Sequence, residues 1–180
     1  SDDKYPPTMP RAEKPDILSS TSIQWNFADT ADNEASFKFY DEASVLISEI
    51  NETDLEHVVE KGLSPNTAYQ RSISAYNSDG ESSLADLGLV YTLANVPGFE
   101  RASVIDSSSV SLSLNVNENS NETEYAIYEV GTESWLNSSG LLGDIRSFQT
   151  ESDWLNGGTG IVVSDLTENA MYSFKVMAKN

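Results

Sequence analysis

Apolar and polar residues alternate one by one along most of this chain, in short runs broken by Gly, Pro, Asn, Asp and Ser. Period-two alternation lines every second side chain along one face of an extended backbone, so each run predicts a half-buried strand. Ile23 and Trp25 share a face, as do Phe37 and Phe39. His57 to Val59 leads into Leu63; Tyr69, Ile73 and Ala75 face one way; Leu87, Leu89 and Tyr91 form a further run. The later part repeats the style with Val110, Leu112 and Leu114, then Tyr125 and Ile127, then Ile161–Val163, then Tyr172, Phe174, Val176 and Ala178. Turn clusters stand between them, at residues 29–33, 64–66 and 77–80. No stretch carries a helical stripe. Short alternating strands at regular spacing predict an all-β protein built as a β-sandwich.

The alternation also repeats on a larger scale. Residues 62–77, GLSPNTAYQRSISAYN, return as residues 165–180, DLTENAMYSFKVMAKN. Leu63, Asn66, Tyr69, Ala75 and Asn77 come back as Leu166, Asn169, Tyr172, Ala178 and Asn180, each shifted by 103. A repeat of that period means two copies of one small domain. Residues 1–10, with Pro6, Pro7 and Pro10, read as an extended linker, residues 11–94 as the first domain and 95–180 as the second. The stretch 92–98, TLANVPG, joins them. Setting Trp25 against Leu114 gives an offset of 89, so the second copy carries about 14 extra residues (103 − 89), placed within 129–160. It has no counterpart of residues 84–92, the last strand of the first copy. The second domain is therefore expected to expose an edge, borrow a strand or be cut short, and truncation is the expectation.

Composition narrows the function. Ten Lys and Arg against 29 Asp and Glu leave a net charge of −19, which repels the phosphates of nucleic acid and of anionic membranes alike. An acidic exterior of this kind keeps a protein soluble. With no cysteine there is no disulfide, thiolate metal site or thiol nucleophile. No apolar run approaches the length of a membrane span.

Leu63 followed six residues later by Tyr69 has the spacing of a tyrosine corner, in which the phenol folds back onto backbone near the preceding loop; Leu166 and Tyr172 repeat it. Together with Trp25 and with Ala75, Tyr76 and Asn77, this spacing resembles the fibronectin type III family over nearly the whole chain from residue 11. The resemblance implies two seven-stranded sandwiches of three- and four-stranded sheets, the second without its last strand. It also implies that Trp25, Leu63, Tyr69, Leu166 and Tyr172 are structural core residues. Leu114 stands where the family has tryptophan in the second copy, and Arg71 stands at the inward position that Phe174 holds, so it is expected to snorkel near the sheet end. The flavour resembles tandem modules of bacterial secreted and cell-surface proteins, which act as spacers or adhesion stalks.

Candidate chemistry is sparse. His57 is the one histidine, and neither a zinc set nor a catalytic triad suggests itself around it. Carboxylate pairs are numerous enough to arise by chance, so no catalytic role is assigned and the chain is read as a non-enzyme. Asp29, Asp32 and Glu34 crowd one loop, and Asn117, Glu118, Asn119 and Glu122 another; these hard oxygens admit a weakly held calcium ion, while solvated loops are the simpler reading. Residues 77–81 carry no Arg-Gly-Asp, and Asp79-Gly80 reads as a tight turn. Asn51, Asn121 and Asn137 open glycosylation sequons. The extra segment of the second copy holds Trp135, Phe148 and Trp154, flat rings on which a sugar could stack. Against this, Trp154 would equally fill core space and Trp135 would cover a sheet edge.

The expectation is a non-catalytic spacer and adhesion module of a larger extracellular or cell-surface protein, without a cofactor. Its partners would be neighbouring domains of the same polypeptide and protein or glycan ligands. Two alternatives differ in kind: glycan binding through Trp135, Phe148 and Trp154, and protein recognition by strand addition at the open edge of the second domain.

Overall fold

The computed structural model of the chain describes residues 5–51 and 55–180. The start of the expected linker and the rest of the sequon at Asn51 lie outside these residues. The chain divides into two compact units, Ser1–Leu63 with Thr67–Leu93, and Ala94–Asn180 with Ser64–Asn66.

The first unit is a two-sheet sandwich. One sheet contains β1 (Arg11–Ala12), β2 (Asp16–Ser19), β3 (Ser22–Ala28) and, further along the chain, β6 (His57–Lys61); β3 is its centre. The other contains β4 (Ser36–Tyr40), β5 (Leu46–Ile50), β7 (Ala68–Asn77), the two-residue β8 (Gly80–Glu81) and β9 (Ala85–Tyr91). Strict alternation on β3 sends Ile23, Trp25 and Phe27 inward, where they meet Phe37 and Phe39 from β4 and Ile73 and Ala75 from β7. Phe27 and Phe37 pack edge to face at 5.0 Å. Each such ring contributes about 1.5–3 kcal/mol by leaving water. Leu63 and Tyr69 pack half-buried against this core, Tyr69 at the foot of β7.

Two expectations about this unit are corrected. Arg71 does not snorkel: it is 6% exposed, and its guanidinium binds Glu60 through Nε at 3.0 Å and Nη2 at 2.7 Å, with Nη1 reaching Glu42 at 3.1 Å. Trp25 Nε1 donates to the same Glu60 carboxylate at 3.0 Å, so the ion pair is stitched into the core. Leu87, Leu89 and Tyr91 do not share a face either. Gly88 sits at φ +91 with its N–H on Asp86 Oδ1, and the β7–β9 register slips there. This β-bulge flips the alternation, leaving Leu87 buried, Leu89 and Tyr91 exposed, and Val90 against the core.

The second unit opens with β10 (Gly98–Asp106), an edge strand whose mostly exposed residues give no alternating signal. It pairs with β11 (Ser109–Asn115), which pairs in turn with β16 (Ile161–Val163). The second sheet centres on β12 (Glu124–Glu129), flanked by β13 (Ser134–Leu136) with β14 (Leu142–Gly143), by β15 (Gln149–Thr150), and by β17 (Phe174–Lys179). Among the described residues no strand pairs with the edge of β17 opposite β12.

The extra segment also holds α1 (Glu151–Leu155), a helix where none was expected. Its signals are short-range: Thr150 accepts from the Asp153 N–H as N-cap, acids fill the first turn, and Asn156 closes the helix in the left-handed region. Five residues are too few to show a stripe.

Register corrects the alignment of the two copies. Trp25 faces Val58 across β3 and β6, and Leu112 faces Ile161 across β11 and β16. Since Ile161 is Val58 shifted by 103, Leu112 rather than Leu114 occupies the place of Trp25, and the offset there is 87 (112 − 25). The N–H of Leu63 on the Thr21 carbonyl and that of Leu166 on the Ser108 carbonyl repeat the same offset. The second copy thus carries 16 extra residues (103 − 87).

Candidate functional site

Trp154, Trp135 and Phe148 part company. Trp154 is carried by α1 into the second core, where it packs with Leu112, Leu114 and Leu136 at 6% exposure. Its indole N–H donates to the Tyr125 carbonyl at 2.9 Å, so both the ring and its polar handle are occupied internally. Leu166 is buried in this core, and Tyr172 packs against it with its hydroxyl oxygen accepting the Thr167 N–H at 2.7 Å. That bond is the tyrosine corner.

Trp135 and Phe148 lie instead on the outer face of the sheet formed by β12, β13 and β17. Cross-strand pairing sets Trp135, Tyr128 and Lys175 in one row, with Ala126 and Met177 in the next and Glu124 and Lys179 beyond. Trp135 meets Tyr128 at 4.8 Å between ring centres, tilted by 54°. Arg146, from the extra segment, places its guanidinium carbon 4.8 Å from the Trp135 ring and 5.8 Å from Phe148, with Nη1 3.8 Å from the Met177 sulfur. Lys179 Nζ stands 5.5 Å over Phe148 and pairs with Glu124 at 2.6 Å. Ala126, Tyr128, Trp135, Lys175 and Met177, with Glu133, line a shallow groove of about 530 Å³ on this face. Outward parity on β12 and β17 could have nominated Tyr128, Lys175 and Met177 from sequence. Arg146 carries no such signal, because it comes from an irregular loop.

One buried carboxylate backs this sheet. Glu129 is 1% exposed and accepts the Thr132 N–H at 2.7 Å, the Thr132 hydroxyl at 2.8 Å and the Ser173 N–H at 2.9 Å. Burial by itself would push the carboxyl up; the N–H groups of Ser173, Thr132 and Gly131 and the Thr132 hydroxyl outweigh it and hold it down to about 2.

In both acidic loops side chains are engaged within the chain, Asp29 Oδ1 accepting the Ala31 N–H at 3.0 Å in the loop of residues 29–34. Asn119 uses its side-chain oxygen on the Asn95 N–H and its amide N–H on the Asn95 carbonyl, while Asn117 donates to the Val96 carbonyl. These bonds fasten the start of the second domain to its own loop. In the other loop burial first, and then Asp29 and Asp32, push the Glu34 carboxyl up, while a backbone hydrogen bond pulls it down. Among the described residues no group of three or more acidic or histidine side chains could hold a metal ion. His57 lies on β6 opposite Asn26, half-buried. Among the same residues no helix is long and apolar enough to cross a membrane.

No family model matches the chain, and no curated protein sequence matches it. Solved structures do. A segment of two fibronectin type III domains from chicken tenascin superposes with a TM-score of 0.60 at 14% identity, over 94% of this chain and 90% of that one. The chain has the fold of a fibronectin type III pair. The central fibronectin-III array of RIM-binding protein (16% identity, TM-score 0.37) and chicken CNTN1 FN1–FN3 (17%, 0.42) also match. This chain spans 65% and 63% of their respective lengths. In fibronectin type III terms, the aromatic and cationic residues above occupy the outer face of the sheet that contains the strand of the tyrosine corner.

Proposed function

We propose that the chain is a non-catalytic spacing and adhesion module of a larger extracellular or cell-surface protein, joined to neighbouring domains of the same polypeptide. What supports this reading is that each of two successive sandwiches has its own complete set of core residues, around Trp25 in one and Leu112 with Trp154 in the other. Polar groups buried in those cores, Arg71 with Glu60 and Glu129 with its backbone donors, are engaged in holding strands together rather than facing a cleft. The absence of cysteine suits a chain that must fold without disulfides. Exchanging the pair, within its parent polypeptide, for an unrelated sandwich pair of equal length tests the reading. Retained surface presentation of the flanking domains is expected; loss of presentation despite correct folding would overturn it.

Strand addition at β17 is a second reading, favoured by the edge that no described strand pairs with. Of the glycan reading, Trp135 and Phe148 remain on the surface, but the Trp135 ring already contacts Tyr128 and Arg146.

A further inference from the structure

The two domains treat the same outer-face positions in opposite ways. In the first, one carboxylate is gathered there: Glu81, on β8, accepts from Tyr40 Oη at 2.5 Å, Ser74 Oγ at 2.6 Å and Lys38 Nζ at 3.3 Å. Burial pushes its carboxyl up, but Ser74, Tyr40 and Lys38 outweigh that and hold it below the ordinary value. Strand register carries these positions across. Phe39 faces Ile73 as Ile127 faces Val176, which puts Tyr128 at the place of Tyr40, Ala126 at that of Lys38 and Met177 at that of Ser74. These three residues line the groove of the second domain.

No acid of this chain takes the place of Glu81 there among the described residues. Cations stand around the position instead, with one exposed acid, Glu133, also lining the groove. Residues 94–180 contain only Arg101, Arg146, Lys175 and Lys179 as cations, and the last three lie on this face. Lys179 is paired with Glu124, whereas Arg146 and Lys175 are exposed and make no ion pair among the described residues. The hydrogen bond of Arg146 goes to a thioether sulfur, a weak acceptor that leaves most of its five donors spare. Contact with Trp135 and Phe148 holds the guanidinium in place beforehand, so less ordering is lost when a planar carboxylate binds its fork. Lys14, Lys61 and Arg101 make no ion pair among the described residues either; what sets Arg146 and Lys175 apart is their place beside Trp135, Tyr128 and Met177, the complement of an acid flanked by apolar groups.

We propose that this face docks a peptide segment of a partner protein in which an acidic side chain lies next to a large apolar one. The carboxylate sits on Arg146 and Lys175, and the apolar side chain enters the groove against Tyr128, Trp135 and Met177. Glu81 in the first domain shows the chain itself using these positions to hold an acid borne on a short extended segment. Ala126 and Met177 offer a sugar's hydroxyls no partners, which favours peptide over glycan. A second copy of this chain carries the same net charge of −19 and is disfavoured by repulsion. The inference rests on the adhesive part of the reading above; the spacing role stands without it.

The test titrates the isotopically labelled 180-residue chain with a pool of capped octapeptides, each with one Asp between two large apolar residues. Amide shifts confined to Tyr128, Trp135, Arg146, Lys175 and Met177 are expected. An otherwise identical pool with Asn for Asp should bind about tenfold more weakly, and Arg146→Gln should weaken the Asp pool by a similar factor without moving thermal unfolding. Lys175→Gln should cost severalfold, and Arg101→Gln nothing. Four results would overturn the proposal: no shifts at millimolar peptide, equal binding of the Asn pool, shifts from uronic-acid oligosaccharides but not from peptides, or the same amides shifting with protein concentration alone.

Discussion

The first domain builds its core around charge, and the second builds the corresponding place without any. Trp25, Glu60 and Arg71 form a bonded cluster in the first, and register sets Leu112, Val163 and Phe174 at those positions in the second. Both solutions fill the same space between two sheets. They fail differently: an apolar cluster loses contacts one methylene at a time, whereas a buried ion pair punishes the loss of either partner. The second domain keeps its buried charge one strand away, in Glu129, which faces Phe174 across β12 and β17 and is held by N–H groups and the Thr132 hydroxyl instead of a cation. It also keeps a core tryptophan, but takes it from the extra segment, so that Trp154 supports by a helix what Trp25 supports from a strand.

The sharpest way to break this comparison is Arg71→Met, which strands the Glu60 carboxylate. A loss of about 3–5 kcal/mol is expected in the first domain, read by urea unfolding followed at amides of β3 and β7. Adding Glu60→Val approaches the apolar pattern of the second domain and should restore part of the loss, the Trp25 N–H being left without its acceptor. No restoration would show that the two cores are not interchangeable.

Glu129 makes the next largest difference. Its folded value, about 2, lies below the ordinary 4.5, so its contribution is whole above pH 4.5 and is lost as pH falls through 2. The second domain should lose roughly 3 kcal/mol over that window beyond what other groups cost it. Glu129→Gln should remove this pH dependence and destabilise by a similar amount at pH 7; an unchanged acid profile would sink the assignment.

Smaller effects test the backbone. Gly88→Ala meets nothing within 4 Å, so its expected loss of about 1–2 kcal/mol is the strain of φ +91 alone, measured as a lower unfolding midpoint of the first domain. Tyr172→Phe removes the bond to the Thr167 N–H and should cost about 1 kcal/mol in the second domain. Asn66→Gly should cost about 1–2 kcal/mol because the Asn66 amide donates to Thr123 Oγ1 at 2.9 Å and to the Lys179 carbonyl at 3.1 Å, whereas Asn169→Gly should change stability by less than about 0.5 kcal/mol.

That last pair explains why the repeat was legible at all. Asn66 and Asn169 both sit at positive φ, 43° and 58°, in the turn before the tyrosine strand, and Gly62 and Asp165 share φ values of 76° and 58°. Residues that tolerate left-handed backbone are few, so a turn that needs them advertises itself. Alternation on β3, β4 and β7 is equally plain because one face of each is buried. Strand β10 gave no signal, since an edge strand needs no apolar face. The candidate site was half visible: Trp135 and Phe148 were nominated by their chemistry, but nothing local separated them from Trp154.

By itself the sequence determined the sandwich class, the duplication, the tyrosine corner at Tyr172 and the strongly acidic character, because these depend on patterns within one strand, one turn or the summed charge. Only the tertiary structure decided that Arg71 pairs with Glu60, that Leu112 stands where Trp25 does, and that Arg146 lies over Trp135 while Trp154 is buried. Each of these joins residues from different strands or loops. Register and loop path set their meeting, and neither is written in any single stretch of the chain.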